Sequence, residues 1–198
     1  MAKKRSKKLN PRRIPISKSM INQDEIFEEA TREDMYHAWL LVFNALVEQS
    51  RIQIDEIPTL TDDVNRHIGH IGSVSLHDDK LAQVKKVMGI PTPYKDLNPD
   101  NIKSLVELER FKQKVYKIAI HTSLSVICLG LNSTGRFTKD ELQKIFFNVD
   151  LTLSEIDHGC NTFNDIENAL KLCGLTIERV DDDLLYISVQ NQSNSCAT

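Results

Sequence analysis

Glycine and proline are scarce in this chain, seven and six among 198 residues. That scarcity argues against a loop-rich all-β fold and for helices joined by short connections. Aromatic residues are few as well, and Trp39 is the only tryptophan. No apolar run approaches the about 18–20 residues that a membrane span needs. The longest, residues 123–131, is broken by Ser125 and Gly130. The chain opens with cations, as a signal peptide does, but no apolar segment follows them, which argues against secretion. The phosphate-cradling forms Gly-x-Gly-x-x-Gly and Gly-Lys-Ser/Thr are missing. Cys128, Cys160, Cys173 and Cys196 have no paired spacing, which suits reduced thiols in a cytoplasm. The expectation is a soluble, intracellular, mainly helical protein, with enough apolar content to build a core.

The most informative absence is of acid. The first eighteen residues hold no Asp or Glu but eight cations: Lys3, Lys4, Arg5, Lys7, Lys8, Arg12, Arg13 and Lys18. The remaining 180 residues carry 17 basic and 28 acidic side chains, so a +8 arm precedes a −11 body. The whole-chain charge of −3 hides this split. Such an asymmetry points to a highly negative partner meeting the arm.

Residues 1–20 have almost no apolar periodicity and are expected to stay disordered until bound. Asn22 followed by Glu25 predicts a helix over about 23–50, whose second half, 37–47, is apolar enough to be buried on most sides. A second helix is predicted over 55–67, with Pro58 tolerated in its first turn. Ser75-x-x-Asp78 has the form of a capping box before a third helix ending at Met88-Gly89. Residues 91–99, with three prolines, read as a linker. Asn98-Pro99 is read as the start of a long helix over 100–131. Thr138-x-x-Glu141 starts a helix to about residue 149, and Thr162-x-x-Asp165 starts one ending at Cys173-Gly174. The pattern then changes to period two on both sides of Asp181-Asp182-Asp183, which predicts a hairpin packed on the helices. Residues 190–198 form a polar tail.

Read in order, these segments repeat at a spacing of roughly 84–87 residues. Leu40, Val42, Ala45 and Val47 match Leu124, Val126, Leu129 and Leu131; Ile57, Leu60 and Val64 match Leu142, Ile145 and Val149. Ser75–Asp78 matches Thr162–Asp165, and Gly89-Ile90 matches Gly174-Leu175. The expected fold class is therefore mainly α: two similar three-helix units, 21–90 and 100–189, joined by a Pro-containing linker, with a C-terminal β-hairpin. The apolar parts of the two long helices are expected to pack together or on a shared core.

Lys7-Lys8-Leu9-Asn10-Pro11-Arg12-Arg13-Ile14-Pro15 resembles the opening of small uncharacterised proteins of Gram-positive phages and integrative elements. Those proteins share a basic Asn-Pro-Arg-Arg-Ile-Pro segment, then a long apolar helix, a short helix, a glycine turn with a hydroxyl residue and a helix ending in Gly-Ile. Gly159-Cys160-Asn161-Thr162 resembles the glycine turn; Met88-Gly89-Ile90 and Cys173-Gly174-Leu175 resemble the ending. The resemblance implies two family units fused behind one arm, and a phage or mobile element as the source. It carries no activity. The first copy has two extra residues after Ser75, and the second has no basic arm.

Lys and Arg neutralise phosphates regardless of base sequence, and Arg12-Arg13 between Pro11 and Pro15 is braced towards an extended course. The arm thus reads as a nucleic-acid contact, with a solubilising tail, or a docking peptide for an acidic protein including this chain's own body, as the alternatives. No aromatic interleaves its cations, so base stacking is not supported. His67, His70, His77, Asp78 and Asp79 resemble a zinc set, but read better as solvated helix-end and loop residues. Asp157-His158-Gly159-Cys160 suggests an activated thiol, but sits in a turn with no second catalytic partner identifiable. The expectation is a non-enzymatic protein of the bacterial cytoplasm, with no metal or cofactor, that binds DNA or RNA through the arm. The runner-up is a protein–protein module that acts on a host or phage protein through the acidic body.

Overall fold

A helix that is apolar on every side has to lie inside a fold. Helix α1 (Asp34–Glu48) does so, with Ala38, Trp39, Leu40, Leu41, Val42, Phe43, Ala45 and Leu46 all buried. Trp39 stacks on Phe43 one turn later, ring centroids 4.9 Å apart. The computed structural model describes residues 25–26, 29–30, 33–49, 52–71, 102–181 and 184–189. The arm, the third helix with its Ser75 cap, the linker and the polar tail lie outside them.

After α1, a 3-10 turn (Ile54–Glu56) leads into α2 (Ile57–Ile71); α3 (Leu105–Ser133), α4 (Lys139–Asp157) and α5 (Phe163–Leu172) follow. Strands β1 (Leu175–Asp181) and β2 (Leu184–Val189) pair antiparallel, Leu175 opposite Val189 and Ile177 opposite Ile187, with a bulge between Arg179 and Asp181. α1 packs against α3, α4 and α5; α2 packs on α3 and β2; α5 packs on β1. The chain is mainly helical with a terminal hairpin, and the larger apolar core among the described residues runs from Ala38 to Ile177. Leu40 and Leu124 share that core, as the two apolar helix segments were expected to.

The three C-terminal helices carry their own start and stop signals. Ser104, Thr138 and Thr162 each accept a hydrogen bond from the backbone N–H three residues on. At Thr138 the Glu141 carboxylate returns the bond to the cap's own N–H, closing the capping box. Gly135, Gly159 and Gly174, with φ of +69°, +72° and +92°, stop α3, α4 and α5.

Four boundaries differ from the sequence reading. The helix expected over 23–50 is interrupted at Glu33, whose φ of −121° and ψ of −2° are not helical. The break lets Ile26 and Ala30 join a separate cluster with Ile102, Phe111, Val115 and Ala119, while α1 enters the main core. Residues 102 and 103 are not helical, so α3 starts under Ser104 rather than near Asp100. α4 runs eight residues past Val149, because Leu153 and Ile156 continue its apolar face and buried Thr152 returns its hydroxyl to the Asn148 carbonyl. α2 continues past His67, with Ile68 packed on the core.

α3 is long and apolar enough to cross a bilayer by length and composition. More than half of its most apolar stretch is buried among the other helices, with Ile120, Leu124, Ile127 and Leu131 inside, and this is how a core helix reads. α2 reaches it closely at Gly130: a Cβ there would meet Val64 Cγ1 at 2.6 Å.

Candidate functional site

Helical spacing puts Gln113, Tyr116, Lys117, Ile120 and His121 on one face of α3, and Asp150, Leu153, Ser154 and Asp157 on one face of α4. The two faces, with Phe163 at the start of α5, line an open cleft of about 430 Å³. Lys117 pairs with Asp157 across it. Burial holds the His121 imidazole below its ordinary pKa, against the opposing pull of Asp150 and with a smaller contribution from Lys117. Desolvation pushes the Asp150 carboxyl upward, while His121 draws it back. The cleft therefore offers an aromatic wall, an imidazole and carboxylates of which Asp157 already holds a cation.

Behind the cleft, three helices meet in a polar joint. His37 of α1 stacks on Phe163 of α5 at 4.0 Å between ring centroids. Its Nδ1 lies 2.6 Å from the Tyr116 hydroxyl of α3, and its Nε2 lies 3.9 Å from the Glu33 carboxylate. Burial, reinforced by Glu33 and Asp34, raises the Tyr116 phenol far above its usual pKa. The phenol therefore stays protonated and shares a hydrogen bond with the imidazole. Next to this, Ser123 donates to Asp34 at 2.9 Å. Tyr36 is likewise raised, by burial and the neighbouring Glu167. Glu167 is itself lowered by its bond from Lys171. The joint ties α1, α3 and α5 together and forms one end of the cleft.

None of the arm cations Lys3, Lys4, Arg5, Lys7, Lys8, Arg12, Arg13 and Lys18 is among the described residues. Of the histidine group, His67 spends its Nδ1 proton on the Asp63 carbonyl at 2.7 Å; the side chains of His70, His77, Asp78 and Asp79 lie outside the described residues. Asp63 holds Arg66 and also Arg136, at 3.2 and 2.7 Å, the latter tying α2 to the α3–α4 turn. Among the described residues no group of three His, Cys, Asp or Glu side chains is placed to hold a metal.

The Asp157–Cys160 turn has a structural account. Cys160 N–H donates to the Glu155 carbonyl and Gly159 N–H to the Ile156 carbonyl, the paired bonds of a Schellman stop. The His158 ring donates from Nδ1 to the Ser154 carbonyl at 2.6 Å. The buried Cys128 thiol is pushed up to about 12 by burial, which keeps it a thiol.

The sequence reading missed the cleft and the joint. Their signal was present in the helical spacing of Tyr116, Lys117 and His121, and in a histidine at the head of an apolar helix. Spacing on α3 alone does not show which face of α4 opposes it. Comparison with protein-family models, with curated proteins and with solved structures finds no match.

Proposed function

We propose that this chain is a non-enzymatic accessory protein of a phage or integrative element, working in the bacterial cytoplasm. It binds nucleic acid, or a nucleoprotein complex, through Lys3, Lys4, Arg5, Lys7, Lys8, Arg12, Arg13 and Lys18. The observation that carries this reading is the charge split: +8 in eighteen residues before a −11 body. A body of that sign repels phosphate, so a nucleic acid is engaged through the arm. The likeness of the arm to phage proteins supports the setting. The body is read as two fused three-helix units. In support, Ile57, Leu60 and Val64 on α2 and their counterparts Leu142, Ile145 and Val149 on α4 are all buried.

A binding titration across salt concentrations tests the reading, comparing the intact chain with one whose eight arm cations are replaced by Gln. The intact chain is expected to bind duplex DNA or RNA with log affinity falling linearly against log salt, with a slope of up to about −7 on DNA if all eight contact phosphate. The variant loses that binding. Equal binding by both forms overturns the reading.

A second reading, a module that docks on a host or phage protein, is favoured by Phe147 and Leu151. They sit one turn apart on α4, 64% and 50% exposed. Recovery of a protein partner that Phe147→Asp abolishes, with no nucleic-acid binding, decides for it.

A further inference from the structure

Glu33 and Tyr116, at the edge of the polar joint, also border a second recess. It is lined by Ile26, Glu29, Ala30, Glu33, Lys112, Gln113 and Tyr116, and holds about 290 Å³. Its lining is mostly apolar and includes Tyr116, Ile26 and Ala30. Its rim is acidic. Glu29 is 66% exposed and paired with Lys112 at 3.1 Å; Glu33 is 58% exposed and 3.9 Å from His37 Nε2.

The recess begins where the described chain begins. Ile26 lines it, and the 24 residues before Glu25 lie outside the described residues. Six residues, 19–24, separate Lys18 from Glu25. Extended, they reach about 20 Å, ample to turn back over a groove whose first lining residue is Ile26.

Within the arm, Arg12-Arg13-Ile14-Pro15-Ile16-Ser17-Lys18 combines branched aliphatic residues with cations on both sides. Pro15 disfavours a helical conformation at Ile14 and biases it towards an extended one. In an extended chain alternate residues share a side, so Arg12, Ile14, Ile16 and Lys18 fall on one face. That face reads cation, apolar, apolar, cation. The groove presents a mostly apolar lining with an excess of one carboxylate over Lys112 at its rim.

We propose that this groove is the docking site for residues 12–18 of the chain's own arm. Ile14 and Ile16 cover the Tyr116 ring, while a flanking cation, Arg12 or Lys18, faces the Glu33 carboxylate, Glu29 being held by Lys112. Exposed ion pairs contribute little each, so the contact is weak and sensitive to salt. The short tether makes it intramolecular and raises the local concentration of the arm at the groove. Lys3, Lys4, Arg5, Lys7 and Lys8 project beyond it. The docking stands without the nucleic-acid reading, because it is measured with no nucleic acid present, and its failure leaves that reading in place.

The test is NMR on the full chain at low ionic strength, with methyl-labelled isoleucine. Expected are cross-peaks from the Ile14 and Ile16 methyls to the Tyr116 ring protons, lost in an Ile14→Asp/Ile16→Asp variant. The signals of Ala30, Gln113 and Tyr116 should move in that variant and move the same way when salt is raised in the wild type. Both substitutions lie in the arm, so the fluorescence of buried Trp39 should be unchanged and serves as the folding control. Unmoved groove signals in the variant overturn the proposal. Cross-peaks that arise only between differently labelled chains in a mixed sample also overturn it, since the arm would then dock on a second copy.

Discussion

Helix α1 starts at Glu33 with no side-chain cap and ends at Gln49 without a glycine, whereas α3, α4 and α5 each start under a hydroxyl cap and stop at a glycine of positive φ. The two regions are held by different means. Local bonds delimit the C-terminal helices, and burial on most sides of its middle holds α1. A helix surrounded by others needs no end signals of its own, since its neighbours decide which residues are worth ordering. The C-terminal helices carry exposed faces, and their ends need bonds that the chain itself supplies.

This contrast can be broken in three places. The largest effect is expected in α1. Phe43→Ala removes a ring that is fully buried and stacked on Trp39, and should cost about 3–5 kcal/mol of unfolding free energy by denaturant titration. A much smaller loss would show that α1 is held by something other than packing.

An intermediate effect is expected where α3, a member of the capped set, depends on packing as well. Gly130→Ala should gain up to about 1 kcal/mol of helix propensity. The added methyl would lie 2.6 Å from Val64 Cγ1, on a stiff β-branched side chain. Overpacking of that kind costs about 1–3 kcal/mol, so the net effect is destabilising, readable as a lower thermal midpoint. A raised midpoint would mean that α2 and α3 part easily.

The smallest effect belongs to a cap. Thr138→Ala removes the hydroxyl that accepts from Glu141 N–H and ends the reciprocal box, and should cost about 1 kcal/mol. Loss of hydrogen-exchange protection should be confined to the first turn of α4. Spread of that loss into α1 would contradict local control of the C-terminal helices.

The boundaries legible beforehand follow the same division. Thr138-x-x-Glu141, Thr162-x-x-Asp165 and Gly174 were read correctly, because a cap or stop involves residues three to five apart. Ser104-x-x-Glu107 carries the same signal, and it, not Asn98-Pro99, starts α3. The break at Glu33 had no such signal, since it follows from two apolar clusters pulling in different directions. The extension of α4 past Asp150 depended on Thr152 finding a carbonyl inside its own helix and on Leu153 and Ile156 finding the core.

The amino-acid order by itself determined the helical class, the terminal hairpin, the Thr138 and Thr162 caps, the Gly174 stop, and the separation of a +8 arm from a −11 body. Each of these rests on composition, on the local period of apolar residues, or on bonds within one turn. Only the tertiary structure decided that His37, Tyr116 and Phe163 would meet from three helices, that His121 and Asp150 would share a cleft, and that an apolar groove with an acidic rim would open beside the root of the arm. Those depend on which helix faces oppose each other. Partners such as His37 and Tyr116, 79 residues apart, are brought together by burial of the shared core and by no feature local to either.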